Sequence, residues 1–472
     1  MPRMLGRFVP LRVLFILLTL AISVFAPVAI TGALDSNRAR IAFNDQDYAS
    51  AAQYYQSAAR KLPWRPELWE QAAIAISHVD TDAAIALFEY ARERGILSAN
   101  GWAMYGAQYW TTSRDESALK IWSAGLQEYP SHHEFYWLIH LAYRQLQDFP
   151  AEKTSLETWL AASKGSALDH YEMGLLLMAS DAARARIELA LASSMEPGFD
   201  SAVKTLRASL DLAAAATDDS RRLVVIGRGL GLVNEWPLAK QTFEQAINVD
   251  ADNAQAWAWL GEARQQTGAD GRAELDRAFS LDVHDTVVHG LRGLYWKRQG
   301  QYGSALTEYH QAAAIEPQNP EWQVALGEAY SLSGDLVSAL GSYQEATALD
   351  PSNASYWRLL AMFCADNAVR VLDVGLPAAE KAAALAPKDP QVLDALGWSY
   401  AQVGLLYNAE QALIKATVLD PDLAIAHLHL AETDLRKGDQ VSALAQLNLA
   451  MQLDGDGPVG KLALQLRNQY FP

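Results

Sequence analysis

Apolar positions recur along this chain at helical spacing, and the spacing itself recurs. Trp257, Leu260 and Gly261 form one stripe, Leu326, Gly327 and Tyr330 a second, and Trp102, Tyr105, Gly106 and Tyr109 a third, each covering one face of a helix. A different stripe follows, with a small residue and then a large one four positions on. Examples are Ala51 and Tyr55, Ala84 and Phe88, Ala118 and Trp122, Ala239 and Phe243, Ala305 and Tyr309, and Ala339 and Tyr343. The pattern predicts two short helices per block. Pro317 to Pro351 and Pro387 to Pro421 are each a step of 34 residues, and at that step whole columns align. Gly293, Gly327, Gly397 and Ala431 share one column, Ala305, Ala339, Ala409 and Ala443 a second, and Ala312, Ala346, Ala416 and Ala450 a third. Small columns mark where two helices approach closely, because a larger side chain would hold the backbones apart.

Block boundaries carry matching chemistry. Gly300, Gly334, Gly404 and Gly438 stand between paired helices as stops, and Pro317, Pro351 and Pro421 end second helices. Asn319-Pro320 and Asp389-Pro390 read as an N-cap followed by proline at the first helical position. A block of this size cannot bury its apolar stripe alone, so the blocks must stack into a helical solenoid.

These columns, W-x2-L-G-x2-Y, then A-x3-F, then P at a period of about 34, resemble the tetratricopeptide repeat. Block 320 to 353 carries the resemblance best, through Leu326, Gly327, Tyr330, Ala339, Tyr343, Ala346 and Pro351. Blocks 99 to 132, 220 to 253, 254 to 285, 286 to 319, 390 to 423 and 424 to 457 also match, and 32 to 65, 66 to 98, 133 to 168 and 354 to 389 match more weakly. Block 254 to 285 is two residues short near Gly268 to Arg272. Block 354 to 389 is two residues long between Cys364 and Pro377, where Gly375 takes the small column. The expected organisation is an N-terminal array over 35–168, a degenerate repeat plus an extra helix near Asp200 to Ala216 over 169–219, a second array over 220–457 and a capping helix over 458–472. The resemblance implies an all-α, right-handed superhelix of helical hairpins whose inner groove receives extended or helical peptides.

Val13 to Leu34 is 22 residues without a charge, long enough as a helix to span a bilayer, with Arg3, Arg7 and Arg12 before it. The basic flank predicts a cytoplasmic N-terminus (residues 1–34 forming tip and transmembrane signal-anchor) and an extracytoplasmic body. Cleavage as a secretory signal near Thr31 to Ala33 is the alternative. The same split organises the charge. The chain carries −17 overall, so the part after Leu34 carries −17 − 3 = −20, which argues against nucleic-acid binding. Its single cysteine, Cys364, excludes an internal disulfide and a thiolate zinc site, and occupies the column of Tyr330 and Tyr400 as a buried small hydrophobe.

Candidate chemistry is sparse. Val224 to Gly231 imitates a strand entering a phosphate loop, but it falls within a predicted helix. His132 with His133 and His427 with His429 lack the i, i+4 spacing of a helical zinc site. No catalytic, cofactor or metal residue is assigned. The chain is expected not to be an enzyme, and no cofactor or small-molecule substrate is expected. The resemblance places Arg221, Gln255, Glu321 and Asp394 toward the inner groove, together with the candidate peptide-contact residues Arg228, Trp259, Glu262, Lys297, Glu328, Arg358, Trp398, Glu432 and Arg436. Trp259 and Trp398 are expected there as surface aromatics, typical anchors of a binding site. The expected function is a membrane-anchored scaffold that binds polypeptide partners during assembly of an envelope complex. The alternative is an accessory subunit of a membrane enzyme or of a glycan or polymer export complex. Repeat proteins fused to a glycosyltransferase are disfavoured, because the repeats leave no length over.

Overall fold

A computed structural model describes residues 11–471, and among them every regular element is helical. The helices fall into two compact units. The first runs to Ala215 and takes in Val225–Ala239; the second holds Ala216–Val224 and everything from Lys240 on. In the first, α1 (Leu11–Asn44) pairs with α2 (Tyr48–Lys61), α3 (Glu67–Ile76) with α4 (Thr81–Arg92), and α5 (Ala99–Trp110) with α6 (Asp115–Glu128). There too α7 (Glu134–Gln145) pairs with α8 (Phe149–Ala162) and α9 (Ala167–Leu177) with α10 (Ala182–Met195), and α11 (Asp200–Ala214) follows as a single helix. Helices α12 (Asp219–Leu232) and α13 (Trp236–Val249) are divided between the units. The second continues with α14 (Ala254–Gln266) and α15 (Arg272–Leu281), α16 (Thr286–Arg298) and α17 (Tyr302–Ile315), and α18 (Pro320–Ser333) and α19 (Leu336–Leu349). Then come α20 (Ala354–Asp366) and α21 (Leu376–Leu385), α22 (Pro390–Gln402) and α23 (Leu406–Leu419), α24 (Ala424–Lys437) and α25 (Gln440–Asp454), and finally α26 (Pro458–Tyr470).

The column residues explain why these hairpins close. A Cβ on Gly293 would stand 2.4 Å from the Tyr309 ring, and one on Gly397 would stand 2.5 Å from Leu413. The first helix of each pair therefore presents bare backbone where the second presents its bulky residue. Ala305, Ala339, Ala409 and Ala443 are fully buried beside them. Shortening of block 254 to 285 brings Gly271 so close to Gly261 that a Cβ would meet the Gly261 carbonyl oxygen at 1.9 Å. The two extra residues of block 354 to 389 are absorbed as a π-helical turn, Val371–Gly375, with Gly375 against Cys364. Cys364 is buried, and burial pushes its thiol up to about 11, so it stays protonated and unreactive at neutral pH.

Turns between paired helices need a left-handed residue. Gly300, Gly334, Gly404 and Gly438 supply it with φ between +70° and +86°, whereas Gln147 and Asn234 hold the same region at +58° and +64°. An L side chain there costs about 1–2 kcal/mol. Gln147→Gly is accordingly expected to raise stability by about 0.5–1 kcal/mol and Gly438→Ala to lower it by about 1 kcal/mol. Urea unfolding of the two variants beside the parent chain reads both signs.

The N-terminal helix departs from expectation. Residues 1–10, with Arg3 and Arg7, lie outside the described residues. Among the described residues no helix is long and apolar enough to cross a membrane, so the expected transmembrane helix over 13–34 is not found as a span. Instead α1 continues unbroken to Asn44, and its later part belongs to the first repeat. Ala29 packs on the Ala39, Ala51 and Leu62 core, Gly32 is buried with its α-carbon against Leu62 and Lys61, and the buried Asp35 takes hydrogen bonds from Lys61 and Ser57. The boundary expected at Leu34 thus falls inside a packed hairpin.

Candidate functional site

In the second unit the first helices of successive pairs face one another through polar contacts. From α16, Arg298 grips Glu262 of α14 with two nitrogens at 2.7 and 2.9 Å, and Gln266 donates to the same carboxylate at 2.8 Å. Lys297 reaches Glu328 of α18 at 2.6 Å. From α22, the Trp398 indole donates to Asp366 of α20 at 2.9 Å. His429 of α24 sets Nδ1 2.8 Å from Asp394 and stacks on Trp398, the ring centroids 4.3 Å apart and the planes within 7°. Arg436 lies over the Trp398 ring at 5.2 Å and donates to the Ala401 carbonyl at 2.9 Å.

Electrostatics follow from this ladder. Burial opposes charge on His429, yet Asp394 against its ring, with Asp366 and Glu432 beyond, holds its pKa above the ordinary imidazole value. Burial raises the pKa of Asp366, which the Trp398 hydrogen bond and His429 only partly offset. Burial likewise raises Glu432, opposed by His429 and Arg436.

The nine candidate peptide-contact residues are therefore not one uniform surface. Arg228 is exposed in the first unit, and the other eight lie in the second. Trp398 is only 7 % exposed, against the expectation of a surface aromatic, because His429 and Arg436 of the following repeat close over it. Glu262 is buried under Arg298. Trp259 is partly buried and stacks on Phe243 with centroids 6.2 Å apart. Lys297, Glu328, Arg358 and Glu432 are half-buried, and Arg436 is exposed. Arg358 has no hydrogen-bond or ion-pair partner among the described residues.

A second polar cluster sits in the first unit, and no local spacing announces it. Arg144 of α7 bonds Glu152 of α8 at 3.1 Å, Glu172 of α9 at 3.2 Å and Glu235 at 3.1 Å. His140 Nε2 lies 3.2 Å from Glu172, and its Nδ1 has no partner. Ligand atoms of His140, Asp169 and Glu172 fall within 4.8 Å of one another, so among the described residues these three could hold a metal. Glu172 is already engaged by Arg144, however, and Asp169 by Trp159 and the Ser166 backbone, so the cluster is closed on itself as an ion-pair network. Burial pushes Glu152 up to about 7 despite Arg144.

Five further histidines have structural explanations. His427 donates through Nε2 to the carbonyl of Pro421 at 3.0 Å; His289 does the same to Val283 at 2.9 Å and His170 to Lys164 at 3.0 Å. Trp257 and Trp357 use their indole N–H on Ala251 and Pro351 in the same way, always six residues back. Either ring closes the turn that precedes a first helix. His132 and His133 are exposed and pack on Tyr129 and Tyr136. The glycine-rich run Val224 to Gly231 lies within α12.

Residues 298–363 match the tetratricopeptide repeat family. That matched stretch runs from the end of α16 into α20, within the longer array of helical pairs described above. A human relative, protein O-mannosyl-transferase TMTC1, is 28% identical over 208 residues, which is 43% of this chain and 23% of the relative. The chain thus spans less than a quarter of that relative's length. Among solved structures, yeast Tom70 aligns with 14% identity over 93% of this chain and 95% of its own at a TM-score of 0.43. MamA from Desulfovibrio magneticus RS-1 aligns with 24% identity over 36% of this chain and 97% of its own at 0.31. The expectation that the chain is not an enzyme, and that glycosyltransferase-linked repeat proteins are poor relatives, is overturned by the mannosyl-transferase match.

Proposed function

We propose that the first-helix face of the second unit binds a polypeptide, and that the chain works as a scaffold in assembling an envelope complex. The observation that carries this reading is Arg358, which lacks a partner among the described residues on a face where Lys297, Glu328 and Arg436 are also accessible. Arginine beside half-buried polar groups is a common anchor for peptide carboxylates and backbone carbonyls. The uncharged stretch Val13 to Leu34 and its arginine flank support membrane attachment with the body on the extracytoplasmic side, whether the stretch is retained or cleaved. Arg358→Glu with Lys297→Glu is expected to cut recovery of co-purifying polypeptides at least tenfold while leaving thermal unfolding within a few degrees of the parent. Unchanged recovery contradicts the assignment of this face.

A second reading has one specific observation in its favour, the match to a protein O-mannosyl-transferase. In it the same face holds the polypeptide acceptor of a glycosyl-transfer reaction. The Arg358→Glu, Lys297→Glu chain then lowers sugar incorporation into the bound polypeptide as well as its recovery.

A further inference from the structure

One cavity in the first unit carries a chemistry of its own. It is a surface cleft between the first two hairpins with a volume of about 320 Å³, lined by Ser36, Asn37 and Arg40 of α1, Tyr55 of α2, Arg65 before α3, Gln71 of α3 and Ala33. No carboxylate lines it, in a chain whose net charge is −17. Its donors are largely unspent. Arg40 gives one terminal nitrogen to Asn37 Oδ1 at 3.1 Å, which leaves the Asn37 amide N–H2 and the rest of the guanidinium free. Arg65 gives Nε to Glu67 at 2.9 Å, and its two terminal nitrogens have no partner among the described residues. Neither the Ser36 hydroxyl, the Tyr55 phenol nor the Gln71 amide has a partner there. Tyr55 is 9 % exposed, and burial raises its pKa against the opposing pull of both Arg40 and Arg65, which lie near enough to the phenol to act on it.

We infer that this cavity is a binding site for a phosphate group. Two guanidinium forks offer the paired N–H geometry that phosphate oxygens accept, and the hydroxyl and amide donors satisfy the remaining lone pairs. Its volume is at the small end of the range of ligand sites, roughly 300–1,000 Å³, and admits a phosphate with a modest substituent. Two sources share this chemistry. A lipid headgroup is one, because Ala33 and Arg40 lie on the same unbroken helix as the uncharged stretch; this source rests on the membrane reading above. A free phosphorylated solute is the other, and it needs no membrane.

The test titrates the full chain in neutral detergent with inorganic phosphate at pH 7.5, followed by calorimetry. One saturable site with half-saturation at or below about 1 mM is expected, weakened at least tenfold in Arg40→Gln and again in Arg65→Gln. Both changes are at the surface edge of the cavity, and a thermal melt matching the parent confirms that the variants fold. The same titration in phosphatidylcholine nanodiscs, with and without phosphatidic acid, separates the sources. Loss of phosphate binding only where phosphatidic acid is present assigns the site to headgroups; binding retained in both bilayers assigns it to a soluble phosphate. A chain that does not stay in the bilayer removes the lipid source and leaves the detergent result standing. The inference is overturned by absence of saturable binding up to about 20 mM phosphate, by binding that both arginine variants retain, or by a peptide with a free C-terminal carboxylate binding where phosphate does not.

Discussion

Trp122→Ala is expected to cost about 3–5 kcal/mol, the usual range for emptying a fully buried aromatic site. The ring is 1 % exposed and fills the space over Gly106, where a Cβ would come within 2.2 Å of its Nε1. It donates to the Ala103 carbonyl at 3.0 Å, so its loss also strips a partner from the first helix of the pair. It belongs to a core cluster contributed by α3 to α7, including Ala73, Phe88, Tyr105 and Phe135. In a stacked array each pair is stabilised chiefly by its neighbours, so damage spreads locally rather than through the whole chain. Hydrogen exchange should show faster opening of α4 to α7 with α18 to α24 unchanged. Uniformly faster exchange along the chain would mean that folding is cooperative over both units.

The second large effect concerns Arg144. Arg144→Met leaves Glu152, Glu172 and Glu235 without their shared guanidinium, and breaking a buried pair in this way costs about 3–5 kcal/mol. The loss should shrink toward pH 5, where the carboxylates can take up protons. Glu152 supplies an internal check of sign. Its folded pKa of about 7 stands above its ordinary 4.5, so between those values the folded chain keeps a proton that the unfolded chain gives up. Stability from this group is therefore full below pH 4.5 and falls as pH rises through 7, by up to about 3 kcal/mol at roughly 1.4 kcal/mol per unit. Glu152→Gln, which is neutral at every pH, should flatten that slope and leave the chain more stable than the parent at pH 8. Urea midpoints measured at pH 5 and pH 8 for the three chains test both statements, and a parent less stable at pH 5 than at pH 8, with Glu152→Gln offering no gain at pH 8, would contradict them.

The paired-helix architecture was legible because its packing columns repeat in register. Gly293 against Tyr309 and Gly397 against Leu413 are the same contact made at the same two positions of a block. The polar ladder was not legible by scanning for partners three or four residues apart. Its pairs are one repeat apart: His140 and Glu172 by 32 residues, Lys297 and Glu328 by 31, Asp394 and His429 by 35, Glu262 and Arg298 by 36. The period that revealed the fold is also the spacing that brings these groups together, and reading polar residues at that stride would have found them. Trp398 was misplaced for the same reason, since what covers it arrives from the next repeat. At the N-terminus, hydropathy cannot tell Ala29 and Gly32 facing α2 from the same residues facing lipid, so the uncharged stretch was extended through a hairpin that claims its last turns.

The account rests on polypeptide binding by the first-helix face of the second unit. A photo-crosslinking amino acid placed at Arg358 on α20, compared with one at the exposed Val418 on α23, the second helix of the next pair, measures this directly in intact cells. The account predicts a polypeptide adduct from position 358 that Lys297→Glu suppresses, and none from 418. Adducts of equal yield from both positions, or from 418 alone, would contradict it.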